Sequence, residues 1–233
     1  MRRVLVTRPE PGAAATAARL EAMGFAPVVL PLTRIVPTPP QAPGPCEAVV
    51  ATSANALRRA PAAFLAPLLG RRLFAVGEAT EEAARRAGFG DIVTAAGTAV
   101  DLAALIGREC APGARLLHLA GRDRTAGFEA ALTRLGFRVE IVETYRAEEI
   151  AHGPGFICAR LEGAPLWGAV VFSERGGQLL GALADRVEFS QHFEGTRFFC
   201  ISSKVAATLS GRPAVVAAEP SEDGVLALLS SQA

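Results

Sequence analysis

At 233 residues the chain has room for two domains of about 100–150 residues each, or for one large one. Half of it is hydrophobic and only 20% is charged, which excludes a disordered chain; its 24 basic and 23 acidic residues are spread rather than blocked, which excludes a strongly basic face for a nucleic-acid duplex. Aromatics are few at 6% while alanine and glycine abound, so helices should pack close against sheets in a layered α/β architecture.

In chain order, Val4-Leu5-Val6 reads as a buried strand, followed by Thr7-Arg8-Pro9-Glu10-Pro11-Gly12, a helix carrying Leu20 and Met23, a stop at Gly24-Phe25, and the strand Val28-Val29-Leu30. Residues 33–45 are too rich in proline for a central strand or a helix and are expected to cross, extended, out of the first domain. Residues 47–51 form the next strand and run into Thr52-Ser53-Ala54-Asn55, good N-caps for a helix beginning near Ala56. Residues 73–76 are a strand ending at Gly77-Glu78-Ala79-Thr80, ahead of a helix stopped by Gly88-Phe89. Ile92-Val93-Thr94 precedes Thr98-Ala99-Val100-Asp101, a capping-box pattern before Leu102, Leu105 and Ile106. Leu116-Leu117-His118-Leu119 then breaks at Ala120-Gly121-Arg122-Asp123. Phe128, Ala131, Leu132 and Leu135 lie on one helix face, Gly136 ends that helix, and Val139, Ile141 and Val142 open a strand leading to Thr144-Tyr145-Arg146.

The second half repeats the first. Residues 167–172 mirror 46–51, Ser173-Glu174-Arg175-Gly176-Gly177 stands where Thr52 to Asn55 stood, residues 198–204 mirror 73–80, and residues 214–229 mirror 92–106. This closing copy lacks a terminal strand-helix-strand unit, and the N-terminal segment supplies one. The expected fold is therefore α/β: two similar doubly wound parallel-sheet domains, the first discontinuous (residues 1–35 plus 149–233), the second spanning 36–145. Two antiparallel crossings, near 33–38 and 143–149, should join them and leave a cleft.

In open parallel sheets, ligands sit beyond the carboxyl ends of the strands, near helix N-termini with free N–H groups. The residues at those ends are Thr7, Arg8, Thr52, Ser53, Gly77, Thr80, Gly121, Arg122, Ser173, Ser202, Ser203 and Lys204. Mostly small hydroxyls and glycines, they suit carboxylates or phosphates held through backbone amides, although plain helix capping competes at each Ser and Thr. No dinucleotide or P-loop glycine pattern follows a strand. His118, His152 and His192 lack metal-ligand spacing and read as structural or surface residues, and no metal site is expected. Asp101, Asp123, Glu140 and Glu143 read as caps or solvated faces. Cys46, Cys110, Cys158 and Cys200 are far apart and read as small buried filler in a reducing cytoplasm; no apolar run reaches the roughly 18 residues of a membrane span. Tyr145, the only tyrosine, falls at an expected crossing. A phenol offers both apolar surface and a proton donor, so hinge packing and chemistry stand level there.

With those residues in place, the chain resembles the bacterial-type uroporphyrinogen-III synthases. The resemblance runs through VLVTRPEPGAAATAARLEAMGFAPVVLPL, TSANA, AVGEAT, LLHLAGRDRTAGFEAAL, ETYRA and VVFS, in that order over nearly the full length. It implies two α/β domains on a two-stranded linker and closure of hydroxymethylbilane to uroporphyrinogen III with inversion of the last pyrrole ring, without metal or organic cofactor. It further implies that Tyr145 is the proton donor, and that Thr52, Ser53 and Asn55 of the TSANA segment, the turn from Gly77 to Thr80, and Ser173 hold the substrate's carboxylates. The chain departs from the family's usual serine-proline-serine-glycine-like turn at Ser173-Glu174-Arg175-Gly176. It also departs at Ser202-Ser203-Lys204-Val205, where a glycine and later a threonine are common. The implied partner is a linear tetrapyrrole, with no nucleic acid and no membrane. A cytoplasmic monomer is expected, and a labile substrate makes hand-over from the enzyme producing the bilane conceivable. The competing reading is a non-catalytic two-domain α/β module that closes on an anionic small molecule or tetrapyrrole.

Overall fold

The computed structural model describes residues 1–95, 97–124 and 127–231. The first half runs β1 (Arg3–Val6), α1 (Gly12–Ala22), β2 (Ala26–Val29), β3 (Thr33–Pro37), β4 (Ala48–Ala51), α2 (Ala54–Arg58), α3 (Ala62–Leu65), β5 (Arg72–Ala75), α4 (Glu78–Ala87), β6 (Ile92–Thr94), α5 (Ala99–Glu109), β7 (Arg115–Gly121), α6 (Gly127–Arg134) and β8 (Arg138–Glu149). There follow α7 (Pro154–Leu161), β9 (Gly168–Val171), α8 (Glu174–Asp185), α9 (Val187–Ser190), β10 (Arg197–Cys200), α10 (Ser203–Ala207), β11 (Ala214–Val216) and α11 (Glu222–Ser231). The chain divides into two compact units, Met1–Arg34 with Glu148–Ala233, and Ile35–Ala147. Among the described residues no helix is long and apolar enough to cross a membrane.

The first unit is built on a five-stranded sheet in the order β11-β10-β9-β1-β2, every neighbouring pair parallel. The N-terminal strand lies inside the C-terminal sheet, with Leu5 opposite Val28 on one side and Ala169 on the other. Val4, Leu5 and Val6 are wholly buried because helices cover both faces, which is why a parallel strand reads as a continuous apolar run. Leu5 packs with Leu30, Leu180 and Phe189 on one face, while Val4 and Val6 pack with Leu20, Phe199 and Leu229 on the other.

The second unit holds a six-stranded sheet in the order β3-β8-β7-β4-β5-β6, parallel from β8 to β6. Ile150 N–H donates to Leu32 O and Thr38 N–H to Thr144 O; residue numbers rise on one strand as they fall on the other, so β3 runs antiparallel to β8. The proline-rich segment thus contributes an extended edge strand at its start and not the central strand that its composition argues against. Pro37 is the last residue of β3, where no ladder donor is required.

The repeated unit shares one stop signal. Gly24, Gly88 and Gly136 all take positive φ (84°, 99° and 87°), and the N–H of the phenylalanine after each bonds back to Leu20, Ala84 and Leu132 respectively. This left-handed cap turns each chain from helix into strand and buries Phe25, Phe89 and Phe137. Other expectations need correction. Met23 and Leu135 are exposed rather than packed, and of the cysteines, all free, only Cys46 and Cys200 are buried, whereas Cys158 is exposed. Burial pushes the Cys200 thiol up to about 11, which suits inert filler.

Gly168 on β9 makes room for a side chain of the neighbouring strand β10. A Cβ built on Gly168 would lie 2.7 Å from the ring of the fully buried Phe199 on β10. Gly168→Ala should therefore lower unfolding free energy by about 1–3 kcal/mol, the cost of overpacking a filled core, measured as a shift of the denaturant midpoint at unchanged slope.

Candidate functional site

At the carboxyl edge of the six-stranded sheet the ladder between β7 and β8 slips. Ala120 lies opposite Glu143, but Gly121 lies opposite Tyr145, so Thr144 is the extra residue of a bulge. Thr144 is fully buried and donates its hydroxyl to Ala56 O of α2 at 2.8 Å. Tyr145, in the slot regular pairing would give Thr144, packs its ring against the same cluster, which includes Ala56 and Leu57. A Cβ on residue 121 would come within 2.6 Å of Tyr145 Cζ and 2.9 Å of its hydroxyl oxygen, so the ring rests on the bare Cα of Gly121. Arg122 N–H donates to Tyr145 O at 2.9 Å and fixes the backbone there. The side chain is half-buried, and its hydroxyl makes no hydrogen bond to any described residue. Gly121, expected as a rim amide, has the second job of making room for the phenol.

The opposite face of the same sheet carries a chain of polar groups that the sequence alone did not reveal. Thr52, just past β4, and His118 on β7 share a face of the sheet, and Thr52 Oγ1 is 3.0 Å from His118 Nε2. His118 Nδ1 is 3.2 Å from Glu129 Oε1 on α6, and Arg124 Nε donates to that same oxygen at 3.1 Å. Arg124 Nη1 donates to Gly121 O at 3.0 Å and to Glu143 Oε1 at 3.1 Å, while Arg122 Nε donates to Glu143 Oε2 at 3.1 Å. Glu143, read as a solvated face, is instead a hub, and the guanidinium of Arg122, then that of Arg124, holds its carboxyl below the usual range. Asp123 accepts from Ala147 N–H at 3.2 Å. Burial drives the His118 imidazole down to about 4; Glu129 opposes the shift and Arg124 adds to it. The sequence signal was available: the buried stripe of α6 is Phe128, Glu129 and Leu132, and a glutamate on an apolar stripe needs a partner.

The other rim residues divide by what their side chains already do. Ser53 caps α2, its oxygen accepting from Asn55 N–H at 3.2 Å, and Asn55 is partly exposed. Gly77 is extended, and Thr80 behind it is only 3% exposed, its side chain turned into the core; the first turn of α4 already carries Glu78 and Glu81. In the first unit Thr7 is likewise buried, and Arg8 is committed to Glu222 at 2.8 Å and to the face of Phe172 at 4.5 Å. Ser173 and Ser202 cap α8 and α10, accepting from Gly176 and Val205 N–H at 3.0 and 3.4 Å. Ser203 and Lys204 are exposed, whereas Val205 is buried. Among the described residues no group of three or more His, Cys, Asp or Glu side chains could hold a metal ion.

A family model described as uroporphyrinogen-III synthase HemD matches residues 14–227. Among solved structures, the chain is similar to the uroporphyrinogen-III synthetase of Helicobacter pylori at 17% identity and a TM-score of 0.65, with 100% of each chain covered. It is also similar to a mutant uroporphyrinogen III synthase from Thermus thermophilus at 17% identity and a TM-score of 0.55, covering 100% of this chain and 98% of that one. At these identities the likeness speaks for the fold. No curated protein matches the chain significantly.

The Gly121–Tyr145 contact and the burial of His118 each carry a measurable outcome. Gly121→Ala should destabilise by about 1–3 kcal/mol because the methyl meets the Tyr145 ring, and the effect should shrink in a Tyr145→Ala background; additive losses in that double-mutant cycle would contradict the contact. The second outcome concerns pH. Unfolded, His118 takes up its proton near its ordinary 6.5, but folded only near 4, so between those values the unfolded state binds more protons and stability falls as pH drops. The wild-type denaturation midpoint should fall more steeply through this window than that of His118→Gln, which has nothing to titrate there.

Proposed function

Because the chain belongs to the uroporphyrinogen-III synthase family, whose members close hydroxymethylbilane to uroporphyrinogen III in tetrapyrrole biosynthesis, we propose that Tyr145 is the acid of that reaction in this protein. The observation that carries this reading is the bulge that sets the Tyr145 ring on Gly121 at the carboxyl edge of the sheet, its hydroxyl unclaimed by any described residue. The chemistry runs as follows. The hydroxymethyl C–O bond breaks with help from the pyrrole nitrogen, and the oxygen leaves as water with a proton from the phenol. The azafulvenium-like cation left behind is attacked by the substituted carbon of the terminal ring; the old bond from that carbon to its methylene bridge then breaks, the bridge re-bonds to the ring's free α-carbon, and the proton lost from that carbon balances the one the phenol gave. Direct closure gives the type I isomer unaided, so the protein's larger task is to fold a flexible bilane into the pose that favours the substituted carbon.

Carboxylates are met by backbone amides and hydroxyls at the strand ends: the Thr52 to Asn55 segment and the Gly77 turn in one unit, and Ser173 and the Ser202 to Lys204 segment in the other. Arg8 and Arg122 contribute less than their charge suggests, since Glu222 and Glu143 already engage them. Thr7 and Thr80 act through their backbone alone. The protein works as a monomer in the cytoplasm, without metal or organic cofactor and without nucleic acid, taking its labile bilane by transient hand-over from the enzyme that makes it.

The test is isomer analysis. Chromatography of the oxidised porphyrins should show the type III product with wild-type protein and only type I without it; type I alone in both would turn the reading toward a binding module. Tyr145→Phe should lower kcat by about 10²-fold or less while KM stays close to wild type, because the ring still packs and the pyrrole nitrogen still drives departure. Full activity in Tyr145→Phe, with a lowered Tm in Tyr145→Ala, would leave the residue a packing role only.

A further inference from the structure

The mechanism above leaves the buried pair His118 and Glu129 unused. The His118 side chain is 2% exposed and that of Glu129 10%. A core built for stability alone would place apolar residues here, as it does with Phe74 and Leu116 nearby. Instead the imidazole lies edge-on to Phe128, with Nδ1 toward Glu129 and Nε2 toward the hydroxyl of Thr52, which is partly exposed at the rim. Glu129 Oε2 and His118 Nδ1 both lack a hydrogen-bond partner among the described residues, so the 3.2 Å approach of Nδ1 to Glu129 Oε1 is an electrostatic contact and not a hydrogen bond. Uncompensated burial of this kind asks for a reason.

We propose that His118 is a positioning residue. Backed by Glu129, it receives the Thr52 hydroxyl proton on Nε2 and so presents the Thr52 oxygen outward as a hydrogen-bond acceptor, matched to a pyrrole N–H of the bilane rather than to a carboxylate. The inference rests on the reading of the protein as a bilane-closing enzyme, and it changes the part assigned to Thr52.

The direction of the proton follows from the neighbours. Glu129 is an acceptor already drawn to Arg124, so the ring nitrogen facing it is the one that carries hydrogen, and a neutral imidazole then has a bare Nε2. Burial keeps the ring neutral at physiological pH. The groups facing His118 are Glu129 from α6, Arg124 from the loop before α6, Phe128, and Thr52; the neighbouring strands place the uncharged Val50 and Ile141 opposite it. With its single proton spent inward, the Thr52 hydroxyl has only lone pairs to offer a ligand. A carboxylate there would meet an acceptor, whereas a pyrrole N–H would meet a partner.

Two measurements test this on the intact protein. Nitrogen-15 NMR of the histidine side chains at neutral pH should show His118 protonated on Nδ1 and bare on Nε2; the opposite tautomer overturns the proposal whatever the activity. In type III formation from hydroxymethylbilane, Thr52→Val should raise KM by about 3–10-fold with kcat little changed, and Thr52→Ser should restore it. His118→Phe should reproduce the Thr52→Val effect and add nothing to it in the double variant, while His118→Gln, which keeps an acceptor near Nε2, should fall between. A lowered Tm with wild-type KM in the His118 variants would make the histidine merely structural and refute the proposal. If His118→Phe does not fold, the Gln variant and the tautomer decide. Wild-type protein that makes no type III isomer sinks the parent reading and the pyrrole assignment together, whereas type III formation with the wrong tautomer sinks this inference alone.

Discussion

A parallel strand in register presents alternate residues to each face of its sheet, and β8 does so beside β7 until Glu143. The slip at Thr144 breaks that alternation where the sheet ends. Thr144 ties the strand to α2 through Ala56 O, and Tyr145 then faces the same cluster instead of the opposite side. One extra residue thereby aims the only phenol of the chain at the carboxyl edge, and the absence of a side chain at Gly121 lets it lie there. Beyond the slip, the same strand continues into the antiparallel ribbon with β3, so the residue that ends parallel pairing also begins the connection between the two compact units.

Electrostatics around this edge are largely internal. Arg122 and Arg124 converge on Glu143, Arg124 also reaches Glu129, and in the other unit Arg8 answers Glu222. Arg8, Arg122 and Arg124, each paired with a carboxylate in its own unit, have less charge left to offer an anion than an unpaired arginine would. On the carboxylate-binding reading proposed above, the contacts that remain are short-range: backbone N–H groups at helix starts and the Ser53, Ser173 and Ser202 hydroxyls, whose lone pairs accept the capping bond. This agrees with the near balance of charge over the whole chain, and it ties the recognition of anionic groups to shape more than to charge.

Much of the fold was legible because its signals are local. The three Gly-Phe helix stops and the continuous apolar strands are visible in sequence, and the copy missing its last unit points to the N-terminus as its source, where β1 indeed lies between β2 and β9. Features that depend on register were not legible. Nothing in Val142-Glu143-Thr144-Tyr145 marks a bulge, since its cause is the anchoring of Thr144 by a helix 88 residues away in sequence. Thr52 and His118 are 66 residues apart, and only the pairing of Val50 with His118 brings them to one face. The apolar spacing that puts Leu135 on one stripe with Phe128 and Leu132 concealed Glu129, because a helix face can rotate by one position to bring a carboxylate to a buried imidazole and an arginine.

That rotation is informative in energetic terms. Turning α6 to bury Leu135, just past its end and 49% exposed, instead of Glu129 would add apolar burial worth about 1–1.5 kcal/mol by side-chain transfer and remove the cost of an unsatisfied carboxylate oxygen. The observed arrangement forgoes both. Removing either partner is no remedy once the pair exists, because a buried ionisable group without its neighbour costs more than the pair does. On the inference proposed above, a neutral imidazole between a carboxylate and a hydroxyl does what an apolar core cannot: it sets which way the hydroxyl proton points. At the edge of a sheet where a substrate rich in both N–H donors and carboxylates must be told one end from the other, a hydroxyl with a fixed sense discriminates, whereas a freely rotating one accepts either group.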